Sequence, residues 1–176
     1  MVFIVVISLV IIQRLVEIFI ARRNEKWMFT QGAYEVGASH YPYMLALHSS
    51  FFLFLIAEVT FDHTGLSPFF LILLVFFLFV QGLRIWCLRS LGRFWNTKII
   101  ILPHAQVVKK GPYLYMRHPN YTIVSLEFIL LPFMFEAYLT AFLFTLLNMA
   151  MLSVRIPLEE RALREATNYS ELFDKK

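Results

Sequence analysis

The chain has 176 residues, 59% hydrophobic and 16% charged, which is one domain by length and far from soluble usage. Its 16 Lys and Arg exceed its 12 Asp and Glu for a net charge of +4, but they are placed as a topology signal and not as a nucleic-acid footprint. The single cysteine, Cys87, stands in an apolar block, so no intrachain disulfide can form and it reads as a packing residue.

In chain order, Val2 to Ala21 is the first apolar block, and about 20 such residues match roughly 30 Å of hydrocarbon at 1.5 Å per residue. It has neither a basic leader nor a small-residue cleavage site, and Gln13, Arg14 and Glu17 interrupt it, so it reads as a retained helix in which Arg14 and Glu17 pair. After a polar stretch from Arg22 to His40 comes a second block, Tyr41 to Phe61, with His48 as an interhelical hydrogen-bond partner. The third block is Pro68 to Leu88, where Gln81 and Arg84 lie near a basic end to which Arg84 can snorkel.

The loop from Arg89 to Asn120 has short apolar runs, Ile99 to Leu102 and Val107-Val108, broken by Pro103, Gly111 and Pro112; it reads as ordered but irregular. Blocks four and five, Tyr121 to Phe135 and Tyr138 to Val154, are short enough to form a hairpin that only just crosses or partly re-enters. Asn148 in block five reads as a second interhelical partner, and Glu127 in block four as a buried acid close to the chemistry. Beyond Arg155, Leu158, Ala162, Ala166, Tyr169 and Phe173 recur at helical spacing and predict an amphipathic helix at the interface, opened by Pro157.

Every Lys and Arg closes or follows block one, closes or follows block three, or follows block five, the last group including Lys175 and Lys176. The stretches around Asp62 to Ser67 and Glu136 carry none. The positive-inside rule then predicts five spans, the N-terminus outside and the C-terminus in the cytoplasm. The expected fold is an all-α integral membrane domain over residues 1–176, with spans near 2–21, 41–61, 68–88, 121–135 and 138–154. No G-x-x-x-G favours helix pairing, and oligomeric state stays open.

The densest polar constellation runs from Gly111 through Pro112, Tyr113, Leu114, Tyr115, Met116, Arg117, His118, Pro119 and Asn120 to Tyr121. Gly111-Pro112 makes a turn, and Pro119 opens a helix whose N-terminal N–H groups favour an anion near Arg117 and His118. An equally simple reading makes Arg117 a headgroup anchor and the tyrosines an interfacial belt. The second constellation, Arg155-Ile156-Pro157-Leu158-Glu159-Glu160, is either a ligand contact or a solvated helix start, and its adjacent carboxylates cannot share one helix face. The histidines at 40, 48, 63, 104 and 118 lack paired ligand spacing, so no metal site is predicted, and Cys87 has no partner that would make it a nucleophile.

Taken together, these clusters resemble the isoprenylcysteine carboxyl methyltransferases, membrane enzymes that use S-adenosylmethionine. The resemblance rests on Gly111-Pro112-Tyr113, Arg117-His118-Pro119-Asn120-Tyr121, then Arg155-Ile156 and Glu159-Glu160 after a hydrophobic hairpin, with Leu91-Gly92-Arg93-Phe94-Trp95 as the approach. Asn24-Glu25-Lys26-Trp27 and Gly37-Ala38-Ser39-His40-Tyr41-Pro42 are similar to bacterial members that methylate long-chain alkylpyrones and alkylresorcinols. The resemblance implies a cytosol-facing cofactor pocket formed by the loop before block four and the C-terminal helix, with a lipophilic substrate arriving from the bilayer. By the same resemblance Gly111, Tyr113, His118, Pro119 and Tyr121 line that pocket, Glu159 or Glu160 meets the cofactor's polar parts, and Arg155, Arg117 and Glu160 are the catalytic candidates. Consistent with a different cradle, the chain has 6 glycines and no G-x-G. A phospholipid N-methyltransferase, a nicotinamide-dependent membrane reductase and a membrane scaffold are the rival readings.

Overall fold

The computed structural model describes residues 1–62 and 64–173; His63, Lys175 and Lys176 lie outside them. Six helices dominate: α1 (Val2–Thr30), α2 (Tyr41–Phe61), α3 (Phe70–Leu91), α4 (Pro119–Phe133), α5 (Tyr138–Ala166) and α6 (Tyr169–Phe173). Two short strands, β1 (Tyr34–Val36) and β2 (Ile99–Ile101), pair antiparallel with Tyr34 opposite Ile101. Among the described residues four helices are long and apolar enough to cross a membrane, at Val2–Thr30, Tyr41–Phe61, Phe70–Phe94 and Tyr138–Ala166. This is an all-α membrane protein, with α4 a fifth apolar helix of 15 residues, about 22 Å at 1.5 Å per residue and short of the hydrocarbon thickness.

The chain forms two compact units, the first from Met1–Ala38, Leu91–Val107 and the stretch from Pro157 on, the second from Ser39–Ser90 and Val108–Ile156. In the first, α1 continues well past the apolar block because polar groups replace lipid as its support. Asn24 donates its Nδ2 to the carbonyls of Trp95 at 2.7 Å and Gly92 at 3.2 Å, and Arg93 lies 5.1 Å over the Trp27 ring. Two motifs that were separate in sequence, Asn24 to Trp27 and Gly92 to Trp95, therefore meet.

Lys98 then clamps Glu25 at 2.8 Å and Glu35 at 3.0 Å. The hydrogen bond to Glu25 comes first in raising the Lys98 pKa above its ordinary value, Glu35 adds to it, and partial burial works the other way. Part of the loop read as irregular is thus the strand β2, whose Ile99 and Ile101 pack with Ala162. The loop after β2 is tied to the chain's last segment by His104 N–H to the Ala166 carbonyl at 2.8 Å and Val107 N–H to Asn168 Oδ1 at 2.8 Å.

The amphipathic segment after Arg155 does not begin a new helix. Leu158, Ala162 and Ala166 belong to α5, which runs unbroken through Pro157, and only Tyr169–Phe173 is separate as α6. Loss of one i to i−4 bond at a proline is tolerated where neighbouring turns hold the helix.

The second unit has an aromatic centre, with Phe51 4.6 Å from Phe128 and 5.5 Å from Phe144 between ring centroids. In lipid such contacts stabilise through packing density more than through transfer from water. Polar groups fix the register. Glu58 of α2 caps the start of α5, accepting from Leu139 N–H at 3.0 Å, Thr140 N–H at 2.7 Å and the Thr140 hydroxyl at 2.5 Å. Asn148 of α5 donates to Ser125 of α4 at 2.9 Å, the interhelical role expected of it, whereas His48 bonds the Met44 carbonyl of its own helix and sets its ring 5.3 Å from Phe128. On α1, in the first unit, Arg14 and Glu17 pair at 2.6 Å as the spacing suggests.

Arg84 departs from expectation. Instead of snorkelling it is buried, and its guanidinium grips Glu127 through both Nε, at 3.0 Å, and Nη2. Gln81 adds a third donor to Glu127 at 2.7 Å, so α3 and α4 are joined by a buried ion pair.

Candidate active site

In the second unit the first constellation is built on α3. Gly111 has φ +59, and a Cβ there would come within 2.2 Å of Ser90 Oγ and 2.8 Å of Trp86 Nε1. Only glycine meets both conditions, a left-handed backbone and direct packing on the end of α3. Gly111–Leu114 then form a 3₁₀ turn that buries Pro112 and Tyr113, and the Tyr113 side chain shares a hydrogen bond with the Cys87 thiol.

Four residues past that turn, His118 at φ −129 and ψ 60 is neither helical nor fully extended, and Pro119 starts α4 at the first helical position, where its missing N–H costs nothing. The His118 and Tyr121 rings stack at 5.5 Å with planes 28° apart. Between them, Asn120 Oδ1 is buried and meets no hydrogen-bond donor of the protein.

Arg155 completes this cluster from α5. It is only 5% exposed, its Nε donates to the Tyr121 hydroxyl at 3.4 Å, and its guanidinium carbon lies 5.9 Å from the Tyr121 ring centre. On its other side Nη1 approaches the Met44 thioether of α2 at 2.7 Å. Arg155, Tyr121 and His118 are thus brought together, whereas Arg117 is exposed. The two arginine candidates have opposite environments.

Glu159 and Glu160 belong to the first unit, both half-buried on α5, and Glu160 accepts from Arg164 one turn on at 2.9 Å. Arg164 in turn lies 5.5 Å over the Tyr169 ring.

Sequence reasoning did not find Met44 or the orphaned acceptor of Asn120. Nothing in an apolar block marks one methionine, but Asn120 was visible as the polar residue between Pro119 and Tyr121. The Arg84 to Glu127 pair had a usable signal, two opposite charges each set inside an apolar block.

S-adenosylmethionine, the cofactor implied by the sequence resemblance, presents a carboxylate, an ammonium, a sulfonium, a diol and an aromatic base. The cluster suits such a group: the Asn120 acceptor awaits a hydroxyl or ammonium donor, the start of α4 offers N–H groups, and Tyr121 offers an aromatic face.

The chain is 48% identical over 159 residues to the uncharacterized protein YpbQ of Bacillus subtilis (strain 168), covering 90% of this chain and 95% of that protein. It is 28% identical over 163 residues to an uncharacterized protein of Haemophilus influenzae, covering 92% and 91%. No solved structure matches it with significance. The profile of the isoprenylcysteine carboxyl methyltransferase (ICMT) family matches residues 70–165, which include both constellations. The chain belongs to the isoprenylcysteine carboxyl methyltransferase family and is, by that membership, a membrane methyltransferase.

Proposed function

We propose that this protein transfers a methyl group from S-adenosylmethionine to an oxygen of a lipophilic acceptor that arrives through the bilayer. The acceptor we favour is an acidic enol or phenol hydroxyl of a long-chain alkylpyrone or related polyketide, for which the similarity of Asn24 to Trp27 and Gly37 to Pro42 is the support. The setting is a bacterial cell membrane with the cofactor side in the cytoplasm. Gly111, Tyr113, His118, Pro119, Tyr121 and Glu159 or Glu160 would hold the cofactor, which supplies a methyl group on a cationic sulfur.

The observation that carries the reading is Arg155, 5% exposed on the apolar helix α5 and against Tyr121 of the Arg-His-Pro motif. A buried guanidinium there suits an oxyanion, which it can hold by paired N–H contacts that an ammonium cannot reproduce. Displacement at a sulfonium methyl needs alignment more than proton transfer when the acceptor is already anionic, and excluding water from the cluster strengthens that alignment. Arg155 orients the acceptor in this scheme. A less acidic phenol would in addition need His118 or a glutamate to take its proton.

Purified protein should bind S-adenosylhomocysteine by calorimetry, and Arg155→Met should lower kcat about 100-fold with the fold retained. Absence of binding by a folded sample removes the cofactor reading, and an unchanged rate removes the role of Arg155. With isotopically labelled cofactor and a lipid extract, label on nitrogen would reassign the protein to phospholipid N-methylation.

A further inference from the structure

Between Tyr113 and His118 the chain carries three consecutive apolar side chains that the chemistry above does not use. Leu114, Tyr115 and Met116 are all exposed, Tyr115 at 80%. Lys109, Lys110 and Arg117 bracket them and are exposed too. The height of this tip is set by α3. Gly111 packs directly on Ser90 and Trp86 in the last turns of that helix, which is long and apolar enough to span a bilayer. Trp86 is itself 47% exposed, and an indole near the end of a spanning helix marks the headgroup level. At Pro119 the chain turns back into the apolar α4.

An apolar tip at headgroup height with cations at both edges is complementary to lipid that is greasy below and negative above. We propose that the segment from Lys109 to Arg117 docks on the surface of an anionic bilayer, with Leu114, Tyr115 and Met116 inserted at the interface and Lys109 and Lys110 against lipid phosphates. The segment also carries Gly111 and Tyr113 and leads into His118. Docking therefore sets the shape of the cofactor side of the site, a consequence that rests on the function proposed above.

The test uses the full chain in lipid nanodiscs of phosphatidylcholine alone or mixed with phosphatidylglycerol. A nitroxide on Tyr115→Cys, with the labelled parent as blank because Cys87 is buried, reports depth through its relative accessibility to oxygen and to a water-soluble nickel chelate. The expected result is a label that favours oxygen in the anionic discs and shifts toward the chelate in neutral discs or when Lys109→Gln and Lys110→Gln are present. A label equally open to the chelate in both compositions overturns the proposal, as does one buried in neither lipid nor water but against a second copy of the chain.

In the same discs S-adenosylhomocysteine should bind about fivefold more tightly to the parent when the lipid is anionic, and the difference should vanish with the two lysine substitutions. Equal affinity in both compositions overturns the coupling to the site. No affinity in either composition instead overturns the cofactor reading, and docking is then decided by the label alone.

Discussion

Gly111 shows most directly how a single residue type enters this site. Its backbone is left-handed, and Ser90 Oγ occupies the space a side chain would need. Gly111→Ala should therefore destabilise the protein by about 1 kcal/mol or more through backbone strain alone, and lower affinity for S-adenosylhomocysteine about tenfold by lifting the turn from α3. Adding Ser90→Gly removes the closer of the two clashes but leaves the one with Trp86 Nε1, at 2.8 Å, and the strain. Partial recovery of affinity in the double variant is the expected outcome by calorimetry, and none would mean that the packing on α3 has no part in binding.

The importance of Gly111 was legible in the sequence because Gly-Pro announces a turn, but its reason was not, since Ser90 and Trp86 are some twenty residues earlier on another helix. Arg155 was legible in the same limited way. Its motif was plain, while its burial against Tyr121 and Met44 depends on how α2, α4 and α5 pack.

At the scale of elements, hydropathy marks apolar blocks and not helix ends, because it reads the solvent and not the hydrogen-bond ladder. The first apolar block closes at Ala21 while α1 reaches Thr30, sustained by Asn24 and the clamp of Lys98 on Glu25. The fifth closes at Val154 while α5 reaches Ala166. β2 escaped notice because a three-residue isoleucine run is too short to show a period.

The buried tie between α3 and α4 permits a sharper test. Glu127→Ala leaves the Arg84 guanidinium without its carboxylate in an apolar setting and should cost about 3–5 kcal/mol. Arg84→Met together with Glu127→Met should be close to neutral, because both desolvated charges leave at once. Thermal melting in detergent distinguishes these outcomes, and a double variant as unstable as the single would show that Gln81 or the wider packing depends on the charge. The Lys98 clamp behaves differently with pH. Its raised pKa means that its contribution is complete below the ordinary lysine value of about 10.4 and is lost only as pH climbs through the higher folded value, so melting between about pH 7 and 9 should not register it.

For the molecule as a whole, the charge map makes a prediction that is independent of the chemistry. If the basic stretches face the cytoplasm, Asp62→Cys should react with an impermeant maleimide in intact cells and Lys109→Cys only after permeabilisation, with buried Cys87 silent in both. The reverse pattern would invert the orientation.

Composition and the apolar blocks made the membrane fold legible, and the ordered motifs made the family legible. The site was less so, because a motif states order along the chain and not distance in space, as the burial of Arg155 against Tyr121 shows.

The cap that Glu58 places on the start of α5 has a consequence for how this gene can vary. From that staple, α2 runs roughly 21 Å back to Met44 and α5 roughly 22 Å forward to Arg155, and the two arms end in contact because they are matched in length. A residue inserted into either arm would advance its end by about 1.5 Å and turn it by about 100°, swinging Arg155 or Met44 off the seam. Exposed positions such as Leu53 and Phe142 can exchange one apolar side chain for another with little effect, whereas buried Phe51, Leu55 and Phe144 are held by close packing, and a change in the length of either arm would displace both sets at once.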